Sequence, residues 1–245
     1  MTEPLELATL RWGAGGLRAL LIHGLTSNAR GWWRLGAELA RAGYEVTAPD
    51  LRGHGDSPAG FDYRLHAYAA DVVALGGEWD VVLGHSLGGA IAVIAQSAEP
   101  SFARRLVLED PLLRMSHPAA FISSYTKLFE DPSAGAVLAQ NPRWHPQDAR
   151  IKEEALREAS PDVVRRTVLE NQPWDLASTA SALEVPTLLI AADPTLDALV
   201  GPDLGTEIAA ANPLVTFEIL EGAGHSLHRD SYDGFWRMVQ TFLPE

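Results

Sequence analysis

The chain contains no cysteine. Disulfides, thiolate metal sites and a cysteine nucleophile are therefore excluded, and the fold must be held by packing and hydrogen bonds alone. Positive charge is scarce: 19 Lys and Arg stand against 32 Asp and Glu, for a formal net charge of −13. An acidic surface repels phosphate backbones, so nucleic acid is not an expected partner. Lysine is nearly absent; Lys127 and Lys152 are the only two. No apolar run approaches the roughly 18 residues needed to cross a bilayer, so no membrane partner is expected. The segment Met1-Thr2-Glu3-Pro4 has no basic stretch followed by an apolar one. It carries no sign of a secretory signal, which makes the cytoplasm the simplest expectation.

What is present is an ordinary globular composition, 47% hydrophobic and 21% charged over 245 residues. That length suits one large α/β domain, long enough to bury a core without staples. Short apolar runs alternate with helical patterns, which predicts a mostly parallel central sheet with helices on both faces. Six runs read as buried strands: Leu17–His23, Tyr44–Pro49, Trp79–Leu83, Arg105–Glu109, Pro186–Ala191 and Val215–Leu220. A weaker run, Leu5–Trp12, is predicted as an antiparallel edge. Helices are expected over Gly31–Ala42, Tyr63–Gly76, Leu87–Ala98, Asp203–Ala211 and Tyr232–Phe242. Residues 112–182 break this rhythm with short helical stretches punctuated by prolines. They are read as an inserted helical cap, leaving 1–111 and 183–245 as the core.

One turn carries chemistry. Val81-Val82-Leu83 runs into Gly84-His85-Ser86-Leu87-Gly88-Gly89 and then an alanine-rich helical stretch. Strand, G-x-S-x-G and helix in that order form a turn so sharp that the residues two places either side of the serine must be small. Ser86 is thereby raised at a helix N-terminus, where the partial positive charge and free N–H groups favour a developing anion. Taken by itself, the motif also fits a serine that merely caps a helix.

Three further segments fall in order around it: His23-Gly24, Asp50-Leu51-Arg52-Gly53-His54-Gly55-Asp56-Ser57 and Gly222-Ala223-Gly224-His225. With the serine turn, they make the chain resemble the α/β-hydrolase superfamily from residue 17 to 245. The resemblance implies an α/β-hydrolase fold and a serine hydrolase that needs no cofactor and no metal. It also implies His225 as the base, since the superfamily order is nucleophile, acid, histidine. A serine hydroxyl needs such a base at neutral pH. Backbone N–H groups of Leu25 and Leu87 are implied as the oxyanion hole. Asp50 and Asp56 are expected to tie down their loop through backbone and Arg52 hydrogen bonds. His85 is expected to pack, and His228 to stand behind the base.

The acid stays open. In most of the superfamily it follows the strand at Pro186–Ala191. Here that loop reads Ala191-Ala192-Asp193-Pro194-Thr195-Leu196-Asp197, and the usual position holds Thr195. Asp197 and Asp193 are the candidates there. In some families, haloalkane dehalogenases and certain lactone hydrolases among them, the acid lies one strand earlier. That position falls on Asp110, with the adjacent Glu109 as a further candidate. The broken pattern of the later loop favours Asp110 narrowly.

Cap residues choose the substrate in such folds, because loops above a fixed scaffold line the pocket. The expected lining is Trp32, Leu113, Phe121, Tyr125, Trp144 and Trp174. With no recognisable arginine pair, the expected substrate is a neutral, mostly apolar small molecule, an ester or lactone cleaved through an acyl-enzyme. The same residues would also serve a C–C bond (diketone) hydrolase, a thioesterase or a perhydrolase. A ligand-binding receptor on a hydrolase fold is the reading from a different class.

Overall fold

A computed structural model describes residues 3–244. Met1 and Thr2, on which part of the leader expectation falls, lie outside the described residues. Seven strands form one sheet: β1 (Thr9–Trp12), β2 (Leu17–Ile22), β3 (Tyr44–Pro49), β4 (Val81–His85), β5 (Leu106–Glu109), β6 (Thr187–Ala192) and β7 (Val215–Leu220), in the spatial order β1-β3-β2-β4-β5-β6-β7. β1 pairs antiparallel with β3, and every other pairing is parallel. This is the expected α/β-hydrolase architecture. The fourth strand differs in extent, running through Gly84 to His85 rather than stopping at Leu83. Its register carries it there, with Gly84 opposite Leu108 and His85 opposite Glu109.

The central strands are buried on both faces because their side chains alternate between two apolar layers, while the edge strands β1 and β7 are partly exposed. Leu20, Ile22, Val82, Leu106 and Leu108 join one core with the helices α2 (Leu65–Ala74) and α3 (Leu87–Ala98). Ala19, Leu21, Val46, Val81, Leu83 and Val107 join the other with α1 (Trp33–Arg41) and α11 (Tyr232–Phe242). The chain leaves β2 in one direction to form β3 and returns across it to form β4. Ligands in such sheets bind outside the carboxyl ends of the strands where the order reverses. Here that crevice opens beyond Ile22 and His85.

Between β5 and β6 come α4 (Pro118–Lys127), α5 (Ala134–Gln140), α6 (Pro146–Glu158), α7 (Pro161–Leu169) and α8 (Ala177–Ser181). Pro118, Pro146 and Pro161 stand at the first helical position, where the missing N–H costs nothing. Ser133 and Ser160 cap their helices by accepting from Ala136 and Asp162 N–H groups. The short α5 and α8, and α10 (Leu227–Asp230), carry too few turns to show a clear periodicity in sequence. α9 (Pro202–Ala211) follows β6 as expected.

The loop after β3 is built around buried charge. Asp50 accepts from the N–H groups of Ala29 (2.7 Å) and Asp56 (2.9 Å). Arg52 does not serve Asp50 or Asp56, as the sequence suggested. It forms a two-pronged pair with Asp71 on α2, at 2.7 Å from Nε and 2.7 Å from Nη2, and also donates to the Asp62 and Ala67 carbonyls. Asp71, 19 residues on in the sequence, meets both Nε and Nη2 of the fork. Removing one partner of a buried pair leaves the other charge uncompensated. Asp71→Ala is expected to cost about 3–5 kcal/mol in chemical denaturation, with Arg52→Met/Asp71→Leu recovering part of the loss.

Candidate active site

The serine turn is set by contact, not by propensity. Ser86 has φ 55° and ψ −116°, a left-handed geometry rare for a residue with a side chain. A Cβ on Gly84 would overlap the Gly88 carbonyl, and one on Gly88 would overlap the Ile22 carbonyl. Both glycines are therefore required for the helix α3 to start so close to β2. The Ser86 N–H donates to the Glu109 carbonyl at 2.9 Å, which ties the turn to β5. On the other side the loop after β2 abuts the serine: a Cβ on Gly24 would lie 3.0 Å from that of Ser86. Leu25, next along, lines the same cavity as Ser86.

His225 follows β7 and reaches Ser86 at 3.0 Å from Nε2 to Oγ. Its Nδ1 lies 2.7 Å from Asp110 Oδ2. Of the four carboxylates considered from sequence, only Asp110 touches the imidazole. It is fully buried and takes the unusual φ of 36° immediately after β5. Its oxygens also accept the N–H groups of Leu199 (3.0 Å) and Val200 (3.1 Å). Asp197 instead accepts the His225 backbone N–H at 2.8 Å. Asp193 closes its own turn, accepting from Thr195 and from the Gly222 N–H. Glu109 points to the other face of the sheet, as alternation along a strand requires, and accepts from His228 N (2.9 Å) and Nδ1 (2.7 Å).

The protonation of these groups follows from burial and partners. Burial works against the His225 cation, but the Asp110 hydrogen bond and charge outweigh it and leave the pKa above the ordinary histidine value. Burial pushes Glu109 up to about 8 and holds His228 well below its ordinary value, so both are biased towards neutral forms. His23 is lowered to about 4 by burial; its Nε2 accepts the Leu51 N–H, so its proton sits on Nδ1 and is donated to the Gly24 carbonyl. His54 is lowered to about 3 for the same reason, and its Nε2 accepts the Thr26 N–H at 3.3 Å. These two histidines are shaping posts for the loop at Gly24–Thr26. His85 is neutral too, with Nε2 donating to the His225 carbonyl at 3.0 Å.

The cavity over Ser86 has a volume of about 250 Å³. A larger one, about 530 Å³, lies between α2 and α3 but contains none of Ser86, His225 and Asp110. Of the expected lining, Tyr125 and Trp144 face the smaller cavity. The Tyr125 phenol interacts with Ser86, and burial holds its pKa above the ordinary value. The other four do not line it. Trp32 is buried against the His228 ring at 4.6 Å, Leu113 is in the core, and Phe121 stacks on Tyr125 from outside at 4.4 Å. Trp174 is buried with its Nε1 donating to the Leu112 carbonyl at 2.7 Å. Large apolar side chains beside a sheet are claimed by the core before any pocket.

The expectation of a mostly apolar lining is corrected. Lys152, Arg229, Asp197 and Asp230 all border the cavity, with Ser27. None of the cations was found from sequence, since Lys152 reads as the polar face of a helix and Arg229 as a residue of the last loop. The available signals were slight: Arg229 stands one turn after His225, and Lys152 is one of only two lysines. Among the described residues no group of His, Asp and Glu is arranged to hold a metal ion, and no helix is long and apolar enough to cross a membrane.

This architecture has relatives. A curated N-formylmaleamate deformylase of Pseudomonas putida KT2440 is 27% identical over 96% of this chain and 91% of its own length. A 2-hydroxy-6-oxononadienedioate/2-hydroxy-6-oxononatrienedioate hydrolase of Cupriavidus pinatubonensis is 29% identical over 94% of this chain and 88% of its own. The crystal structure of the N-formylmaleamic acid deformylase of Pseudomonas putida S16 superposes with a TM-score of 0.83 at 28% identity, covering 96% of each chain. A model of the alpha/beta hydrolase family matches residues 19–237, and the chain belongs to that family.

Proposed function

We propose that this hydrolase works through a nucleophilic serine, cleaving a carboxylic ester or lactone by way of an acyl-enzyme. The supporting observation is His225, bridging Ser86 at 3.0 Å and Asp110 at 2.7 Å. Asp110 accepts the proton on Nδ1 and so leaves Nε2 free to take the proton of Ser86. Ser86 attacks the carbonyl carbon, the leaving oxygen takes the proton from His225, and water reverses the sequence to free the acid. The Leu87 N–H has no intrahelical acceptor at the start of α3, and with the Leu25 N–H it stabilises the oxyanion. The helices between β5 and β6 act as a cap over a small-molecule substrate, contributing Tyr125, Trp144 and Lys152. The two relatives named for a deformylase and for an oxo-dienedioate hydrolase favour, as a second reading, C–N or C–C cleavage by the same three side chains.

Pre-steady-state hydrolysis of p-nitrophenyl acetate is expected to show a burst of one nitrophenolate per chain, and Ser86→Ala to abolish it. Full turnover by Ser86→Ala would remove the serine mechanism.

Asp110→Asn is expected to lower kcat on the order of 10⁴-fold. Its amide oxygen would keep the Leu199 and Val200 N–H groups while the NH₂ faced His225 Nδ1, forcing the tautomer that cannot accept the Ser86 proton. Asp193→Asn and Asp197→Asn, which touch only backbone or turn groups, are expected to cost far less. Steady-state rates of the three variants separate the candidates.

Only neutral His225 can act as base, so kcat/KM is expected to fall as the pH drops through its raised pKa. The acid limb should therefore lie above 6.5, the ordinary histidine value. A pH profile with its limb below that value would contradict the Asp110 pairing.

A further inference from the structure

Two cations border the cavity over Ser86 and neither has an ion-pair partner among the described residues. Arg229 is 5% exposed. Its guanidinium lies over the Trp144 ring at 4.8 Å and donates from Nη2 to Ser27 Oγ at 3.1 Å, while its buried Nε–H has no acceptor. Room for it is made by Gly31, where a Cβ would lie 2.8 Å from Nη2. Lys152, from α6, donates to the Thr26 carbonyl and hydroxyl at 2.7 Å each. An ammonium has three donors, so one remains.

Buried cations are normally matched by carboxylates. The carboxylates near Arg229 are Asp148, Glu109 and Asp230, and none of them forms an ion pair with it. Asp148 accepts from Trp33 Nε1 and Arg34 Nη2 at 2.8 and 2.6 Å. Glu109 holds His228 and is biased towards its neutral form. Asp230 accepts from Trp144 Nε1 and pairs with Arg143 at 3.7 Å. Asp197 and Asp230 also border a neighbouring depression that contains Arg143, whereas Ser27, Lys152 and Arg229 belong to the recess over Ser86 alone. The charge of the cavity is thus divided, with acids at one rim and unmatched cations beside the nucleophile. Burial lowers the proton affinity of both, and the charge of Arg229 lowers that of Lys152 further.

We propose that Arg229 and Lys152, with the Ser27 hydroxyl, form an anion-binding subsite that selects substrates bearing a free carboxylate in addition to the carbonyl attacked by Ser86. The subsite rests on the reading of Ser86 as nucleophile and names the class of substrate for it: small monoesters or lactones of dicarboxylic acids. A carboxylate seated there supplies the counter-charge that the fold withholds, and its hydrogen bonds to two cations are of the strong, charge-assisted kind.

The test compares the monomethyl esters of succinate, glutarate and adipate with methyl butanoate, pentanoate and hexanoate, which match them in chain length and lack the charge. Proton release is followed by pH-stat with the whole chain. At least one anionic ester is expected to exceed its neutral match by 10-fold or more in kcat/KM, chiefly through KM. Arg229→Met and Lys152→Met should each cut that ratio about 10-fold, and Arg229→Lys should retain more of it than Arg229→Met. A wild-type ratio of one or less for all three pairs would overturn the subsite, whatever the variants do. Calorimetry with Ser86→Ala and glutarate supplies a readout that needs no turnover. If wild type cleaves none of the esters while Ser86→Ala still binds glutarate and Ser86→Ala/Arg229→Met does not, the subsite stands and the ester reading falls. If esters are cleaved without charge preference and glutarate does not bind, the hydrolase reading stands and the subsite falls.

Discussion

The buried carboxylate of Asp110 is the constraint around which the site is assembled. It sits at the carboxyl end of β5, fully excluded from water, with no arginine or lysine on it. A charge in that position must be met by hydrogen bonds or be neutralised. The N–H groups of Leu199 and Val200 meet it from the loop after β6, and His225 meets it from the loop after β7. One side chain thereby fixes the relation of the ends of β5, β6 and β7. The fourth end, at β4, joins through the Ser86 N–H on the Glu109 carbonyl. The distance from His225 to Ser86 follows from these ties, which is why a strained φ at both Asp110 and Ser86 is tolerated.

Much of this is legible in the sequence, for reasons that can be named. Parallel strands buried on both faces leave unbroken apolar runs, and the turn at Ser86 leaves two glycines that no other residue could replace. His225 was legible because it stands in the glycine-rich turn that follows the last such run. The acid was not settled, because Asp110, Asp193 and Asp197 all stand in loops at the same edge of the sheet and only the register decides among them. Glu109 pairs with Ile190 across β5 and β6, and the next residue then lies beside Leu199 and Val200. Alternation turns Glu109 away to His228, an assignment no pattern in the sequence records.

The cavity lining was the least legible part. Trp32, Leu113, Phe121 and Trp174 looked like pocket residues by being large and apolar, and that same property buries Trp32, Leu113 and Trp174 and packs the half-buried Phe121 against the core. The cations that do line the cavity come from α6 and α10, two elements far apart in the chain, and their proximity depends on how the helices between β5 and β6 settle on the core. That seating uses polar contacts: Asp148 to Trp33 and Arg34, Glu158 to Asn28, and Lys152 to Thr26. In a chain with a net charge of −13, a recess that keeps two unmatched cations in the cavity of Ser86 is a local exception with a local cause.

The central claim is that Asp110 fixes His225 as the tautomer protonated on Nδ1. Nitrogen-15 NMR of the imidazoles, above the pH at which His225 loses its second proton, tests it directly. His225 is expected to show a protonated Nδ1 with a far-downfield proton resonance and a bare Nε2, and to lose that resonance in Asp110→Asn. A His225 protonated on Nε2 in the wild-type chain would contradict it.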